Sequence, residues 1–107
     1  MKKVFVSVPM KGRTDDAIRK EIEEIRAKYR ADHPGEELLF YSNLIETKLP
    51  VERTVKHEAV WYLGRALMNM SYCDDVAFSE NWANATGCII ERQVWALYMK
   101  GGDQKND

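Results

Sequence analysis

Lys3-Val4-Phe5-Val6-Ser7-Val8, followed by Pro9-Met10-Lys11-Gly12-Arg13 and then Thr14-Asp15-Asp16, is the stretch that decides the architecture. The first six residues are mostly β-branched or aromatic and contain no breaker, so they read as a central, parallel strand. Pro9 and Gly12 punctuate a loop. Thr14 has the chemistry of an N-cap, and Asp15 and Asp16 put negative charge where a helix dipole favours it. Ile18, Ile22, Ile25 and Tyr29 then recur at helical spacing, which predicts a helix to about Ala31, closed by His33-Pro34-Gly35.

The strand–helix alternation continues along the chain. Leu38 to Tyr41 is a short second strand. Ser42 to Arg53 is irregular and contains Pro50. Thr54 is the expected cap of a second helix reaching about Met70 and carrying Trp61, Leu63, Leu67 and Met70. Asp75 to Phe78 is a third strand, and Ser79 to Thr86 a loop. Gly87 opens a third helix with Ile90, Val94 and Leu97 as its expected inner stripe. Gly101 should end it, and residues 101–107 are a polar tail expected to fray. This βαβαβα order predicts one α/β domain over residues 1–107, a small flavodoxin-like or Rossmann-like three-layer unit. Right-handed crossovers give it a short parallel sheet of order 2-1-3. Ligands in such sheets sit beyond the carboxyl ends of the strands. The loops Pro9–Arg13, Ser42–Thr54 and Ser79–Gly87 meet there.

Composition narrows the function. With 16 basic and 17 acidic residues among 107, the chain lacks the clustered charge of a nucleic-acid polymer binder. A single nucleotide remains compatible. No apolar run approaches the ~20 residues of a membrane span. The strand pattern begins at once, without a cleavage site, so no signal peptide is expected. Cys73 and Cys88 make neither a disulfide framework nor a metal pattern, and a reducing cytosol is the simplest compartment. No cofactor is implied.

Glu91 is the first candidate for chemistry. It lies about one turn into the third helix with no cation at helical spacing. The helix N-terminus favours its anion, whereas apolar surroundings would raise its pKa. A partly desolvated carboxylate there suits attack on an anomeric carbon. It also fits a surface glutamate that complements the dipole. Asp75, at the entrance of the third strand, is either a site residue or a solvated turn residue. Lys11, Gly12 and Arg13 follow the first strand, where loops hold phosphate, although no Gly-x-Gly-x-x-Gly is present and Asp15 and Asp16 would repel an anion. Trp82, Trp61 and Tyr62 could stack on a base or simply fill the core. His57 and His33 offer no metal site, and Cys88 reads as a packed small residue.

The segments Trp61-Tyr62-Leu63-Gly64, Asp75-Val76-Ala77-Phe78 and Trp82-Ala83-Asn84-Ala85-Thr86-Gly87-Cys88-Ile89-Ile90-Glu91 resemble small bacterial and phage proteins classed as domain of unknown function 4406. Ser7-Val8-Pro9-Met10-Lys11-Gly12 is similar to their Ser-x-Pro-Met-x-Gly opening. The resemblance covers residues 3 to about 98. That group in turn resembles nucleoside 2-deoxyribosyltransferases and 2'-deoxynucleoside 5'-phosphate N-hydrolases. The resemblance implies Glu91 as nucleophile, within Gly87-x-x-x-Glu91, and Asp75 as a sugar-positioning or acid/base group. It implies substrate contacts from Pro9, Met10, Lys11, Gly12, Arg13, Trp82, Asn84 and Gly87. Two positions depart from the pattern: Phe5 stands where the enzymes commonly have Tyr, and Ala85 where they carry Ser or Asp.

Three functions follow as expectations. The chain cleaves or transfers the N-glycosidic bond of a nucleoside or nucleotide, or binds such a ligand without catalysis, or keeps only the fold for protein interaction. A homo-oligomer, most simply a dimer, is expected from the surplus aromatics Trp61, Tyr62, Trp95 and Tyr98.

Overall fold

A computed structural model describes residues 1–44 and 55–100. Three parallel strands, β1 (Lys2–Ser7), β2 (Leu38–Ser42) and β3 (Asp75–Phe78), form a sheet of order β2-β1-β3. The helices are α1 (Asp15–Asp32), α2 (Glu58–Ser71) and α3 (Thr86–Val94). A 3-10 turn, Trp82–Asn84, precedes α3, and a π-helical turn, Trp95–Met99, prolongs it. Thr14 caps α1 as its chemistry predicts, its side chain accepting the Ala17 N–H. Gly35, at φ 82, turns the chain after α1 in the left-handed region that glycine tolerates best.

The pleat sorts the core. Val4, Val6 and Val8 face α1, where Val6 and Val8 pack on Ile18 and Ile22. Phe5 faces the other way, among Ala66 and Met70 of α2 and Val76 of β3, with Trp95 and Met99 of the π turn against them. Alternation along one strand therefore feeds both cores. In register, Val4 pairs with Asp75 and Ser7 with Phe78. Asp75 thus lies on the α1 face at the amino end of β3, while Ser7 lies on the α2–α3 face at the carboxyl end of β1.

Three expectations change. The Thr54 cap lies outside the described residues; α2 begins at Glu58, with His57 before it making no side-chain cap bond. The fully buried residues of α3 are Cys88 and Glu91; of the expected Ile90, Val94 and Leu97, Val94 does pack on the core around Phe5 and Ile90 is half-buried. Leu97 is 73% exposed. The helix is rolled by about one residue, or ~100°, because Ser7 and Asn43 give Glu91 partners that let a carboxyl face the sheet. That roll turns Trp95 inward, edge-on to Phe78 at 5.7 Å, and removes it from the partner-facing aromatics. The expected stop at Gly101 is outside the described residues. Among those residues, no helix is long and apolar enough to cross a membrane.

Candidate functional site

Ser7, Asn43, Cys88 and Glu91 are buried together at the carboxyl end of β1. Ser7 Oγ donates to Glu91 Oε1 at 2.6 Å, and Asn43 Nδ2 donates to the same oxygen at 3.3 Å. Asn43 is fixed by β1. Its backbone N–H donates to the Val6 carbonyl at 3.1 Å. Its side chain then continues the ladder: Oδ1 accepts the Val8 N–H at 3.2 Å, and Nδ2 donates to the Val8 carbonyl at 3.0 Å. The Val8 N–H dictates which end of the amide is oxygen, so Nδ2 must be the group that meets Glu91.

Burial dominates the electrostatics of this acid. Desolvation raises the Glu91 pKa to about 7, against the lowering effect of the Ser7 and Asn43 bonds. Near neutrality the carboxyl therefore populates both its protonated and its ionised form. The Cys88 thiol, one turn earlier, is also pushed up, first by burial. Ser7 pulls the other way, and the Glu91 and Glu21 charges add to the rise. Gly87 precedes Glu91 by four residues, on the same helix face. A Cβ built at Gly87 would meet nothing within 4 Å.

A second network closes the neighbouring loops. Arg13 Nη1 donates to the Pro9 carbonyl at 2.7 Å and to Glu21 Oε1 at 2.6 Å. Ser79 Oγ donates to Glu21 Oε2 at 2.6 Å. Glu21 thereby ties α1 to the loops after β1 and β3. The Arg13 N–H also donates to the Met10 carbonyl at 3.1 Å, and Gly12 supplies the positive φ of 76 that this tight turn needs.

These contacts sort the expected site residues. Glu91 and Gly87 share one helix face. Asp75 is not with them. It accepts the Tyr29 hydroxyl at 2.7 Å on the opposite face and at the opposite end of the sheet, where Lys2 lies over the Tyr29 ring. An acid on the first residue of a strand cannot reach chemistry beyond the last. Arg13 is held by Glu21, so its guanidinium is a loop clasp. Pro9 supplies the carbonyl of that clasp, and Met10 packs on the α1 core. Lys11 and Gly12 are exposed at the tip. Trp82 is half-buried with the Arg92 guanidinium 4.4 Å from its ring, and Asn84 is exposed. Phe5 is fully buried in the core, and Ser7, two residues on, supplies the hydroxyl to Glu91 that Phe5 lacks. Ala85 has the extended backbone of an N-cap but no side chain to cap α3.

Ser7, Asn43 and Glu21 escaped the sequence reading as site residues. Ser7 had a signal, because it stands at the end of a central strand on the face opposite the valines. Asn43 and Glu21 had none, since a polar residue after a strand and an acid on a charged helix are ordinary.

Two open grooves flank α1. One, of about 640 Å³, runs along β3 and is lined by Glu21, Ile25, Tyr29, Ala77 and Phe78 among others. The other, of about 600 Å³, runs along β2 past Arg19, Arg26 and Arg65. Glu91 lines neither. Among the described residues no group of three or more His, Cys, Asp or Glu side chains gathers to hold a metal. No family model, curated protein or solved structure matches the chain.

Proposed function

We propose that this chain cleaves or transfers the N-glycosidic bond of a nucleoside or nucleotide, with Glu91 as nucleophile. One observation carries the reading: a buried carboxyl at the carboxyl end of the central strand, held by Ser7 and Asn43 and titrating near neutrality. In the first step a Glu91 carboxylate oxygen bonds to the anomeric carbon as the carbon–nitrogen bond breaks. The electron pair leaves with the base, which takes up a proton. Water or a second base then attacks the anomeric carbon and returns the carboxylate. The Ser7 hydroxyl and the Asn43 amide hold one carboxylate oxygen and so aim the other. The open space beside Gly87, on the same helix face as Glu91, is room for the sugar.

The test is release of free base from a panel of deoxynucleosides and their 5'-monophosphates, followed by chromatography. Glu91→Gln should abolish release while leaving the circular dichroism unchanged. Release that survives Glu91→Gln refutes the nucleophile.

A second reading, a nucleotide-binding domain without turnover, is favoured by Asp75. With that residue on the far face, Glu91 lacks the companion acid that the resemblance implies. Glu21 has a charge that reaches Cys88, but its carboxylate is engaged by Arg13 and Ser79. Under this reading nucleotides raise the melting temperature and no base is released.

A further inference from the structure

β2 is an edge strand, because the sheet runs β2-β1-β3 and β1 pairs with only one side of it. In a parallel ladder the N–H and C=O of one residue point to the same side, and successive residues alternate. The Glu37 carbonyl accepts the Lys2 N–H at 2.9 Å, and the Asn43 N–H donates to the Val6 carbonyl at 3.1 Å. The register between these two bonds is unbroken. Odd-numbered residues of β2 therefore face β1, and Leu38, Phe40 and Ser42 turn their N–H and C=O groups to the free edge. Phe40 and Ser42 both line the groove of about 600 Å³ that follows this edge. Ile22 and Arg26 of α1 form one wall of the groove, and Arg65 and Asn69 of α2 the other.

The charge of the groove has one sign. The guanidiniums of Arg26 and Arg30 stand over the Phe40 ring at 5.1 and 5.0 Å. Glu23 is the one acid among the described lining residues, and Arg26 already holds it at 2.8 Å. Arg65, half-buried on the opposite wall, pairs with no acid among the described residues, and its covered Nε has no acceptor. Charges that only blunt a sheet edge keep their heads in water. A half-buried cation without an anion is unfavourable, and a carboxylate entering the groove relieves it.

We propose that this edge binds an extended acidic segment of another protein, which adds as a strand beside β2. The inference is independent of the catalytic reading. The main chain of the segment pairs with the outward groups of Leu38, Phe40 and Ser42. A free anion could meet the arginines, but it has no use for donors and acceptors set at strand spacing. The five residues of β2 span roughly 17 Å, which matches roughly five or six residues of ligand. Successive side chains of an added strand fall on opposite faces of the sheet. Carboxylates on one face meet Arg26 and Arg30, and those on the other meet Arg65. Small apolar side chains between them cover Ile22 and Phe40 on the first face and Tyr41 on the second.

The probe is a blocked peptide, acetyl-Val-Glu-Glu-Val-Glu-Val-amide, titrated into the nitrogen-15-labelled full chain. Saturable NMR shifts are expected at the Phe40 and Ser42 amides, with a Kd below about 1 mM at low salt. Raising salt to ~0.5 M should weaken binding at least about threefold. The same peptide with lysine for glutamate should not bind. Arg65→Gln should weaken binding at least about fivefold. Because Arg65 has no ion pair to lose, that variant should be at least as stable to urea as the native chain. Two further peptides carry N-methyl groups on alternate residues, one on the odd and one on the even positions. One of them should lose binding, since only one alternation turns its N–H groups to β2. Equal binding of the lysine peptide, or unchanged affinity in Arg65→Gln, overturns the acidic ligand. Equal binding of both N-methyl peptides, or shifts that spare Phe40 and Ser42, overturns the strand pairing. Shifts at Phe40 and Ser42 that follow chain concentration without peptide assign the edge to a second copy and overturn the foreign partner.

Discussion

At the scale of single residues, Glu91 links chemistry to stability. Its pKa rises from 4.5 to about 7 on burial. Below pH 4.5 it is protonated in both folded and unfolded chains and contributes nothing to pH dependence. Between 4.5 and about 7 the unfolded chain ionises while the folded one keeps its proton, so stability falls as pH rises through that window. At roughly 1.4 kcal/mol per unit, the loss reaches up to about 3 kcal/mol above pH 7. Glu91→Gln removes it. The variant should gain on the native chain from pH 4.5 to 7 and hold the gain above, as read by urea denaturation at a series of pH values. A stability difference that is flat with pH would show that Glu91 is not buried as described. Ser7→Ala deletes a bond that favours the anion, so the Glu91 midpoint should move above 7 in a carbon-13 NMR titration. For a nucleophile that must be ionised, base release should rise with pH through about 7, and through a higher midpoint in Ser7→Ala.

At the scale of elements, the starts of α1 and α3 differ. α1 has its Thr14 cap, and Thr14→Ala should cost about 1 kcal/mol in chemical denaturation. α3 opens at Ala85 with cap-like backbone, φ -134 and ψ 125, and no side-chain bond. Ala85→Asp should therefore stabilise the chain by about 1 kcal/mol. If an anionic ligand uses the same first-turn N–H groups, the variant should also bind nucleotides more weakly; unchanged affinity would exclude that contact. These elements show what the sequence made legible. Strand order, parallel pairing and the span of β3 followed from breaker-free apolar runs alternating with helical periodicity. The roll of α3 did not, because hydrophobic periodicity points to the apolar stripe, and here two donors on other elements turn a carboxyl inward instead. For Asp75, the entrance of the strand already placed it at the end away from the loops, but its face was hidden. Sequence distance from Glu91 is blind to which face of a strand a residue takes, and register with Val4 decides it.

At the scale of the molecule, polar clusters hold both ends of the sheet. At the amino end, Tyr29 bonds Asp75 and stacks on His33 at 4.0 Å. At the carboxyl end, Ser7 and Asn43 hold Glu91. The clusters share no partner, so their energies should add. Tyr29→Phe should destabilise the fold by about 1 kcal/mol and leave the Glu91 titration midpoint where it is. Combined with Ser7→Ala, its effect on stability should sum within about 0.5 kcal/mol. Coupling beyond that would mean the strands transmit strain from one end to the other.

Asn43 and Glu91 are 48 residues apart in the chain, and Ser7 and Glu91 are 84 apart. At synthesis rates of 5–20 residues per second, Glu91 leaves the ribosome roughly 2–10 s after the amide that must receive it. Until then the last helix does not exist, and the acid, once made, titrates as any glutamate in water does. The reactive proton is therefore a property of the finished molecule. A nascent or truncated chain lacking α3 keeps Ser7 and Asn43 but not the carboxyl that they hold.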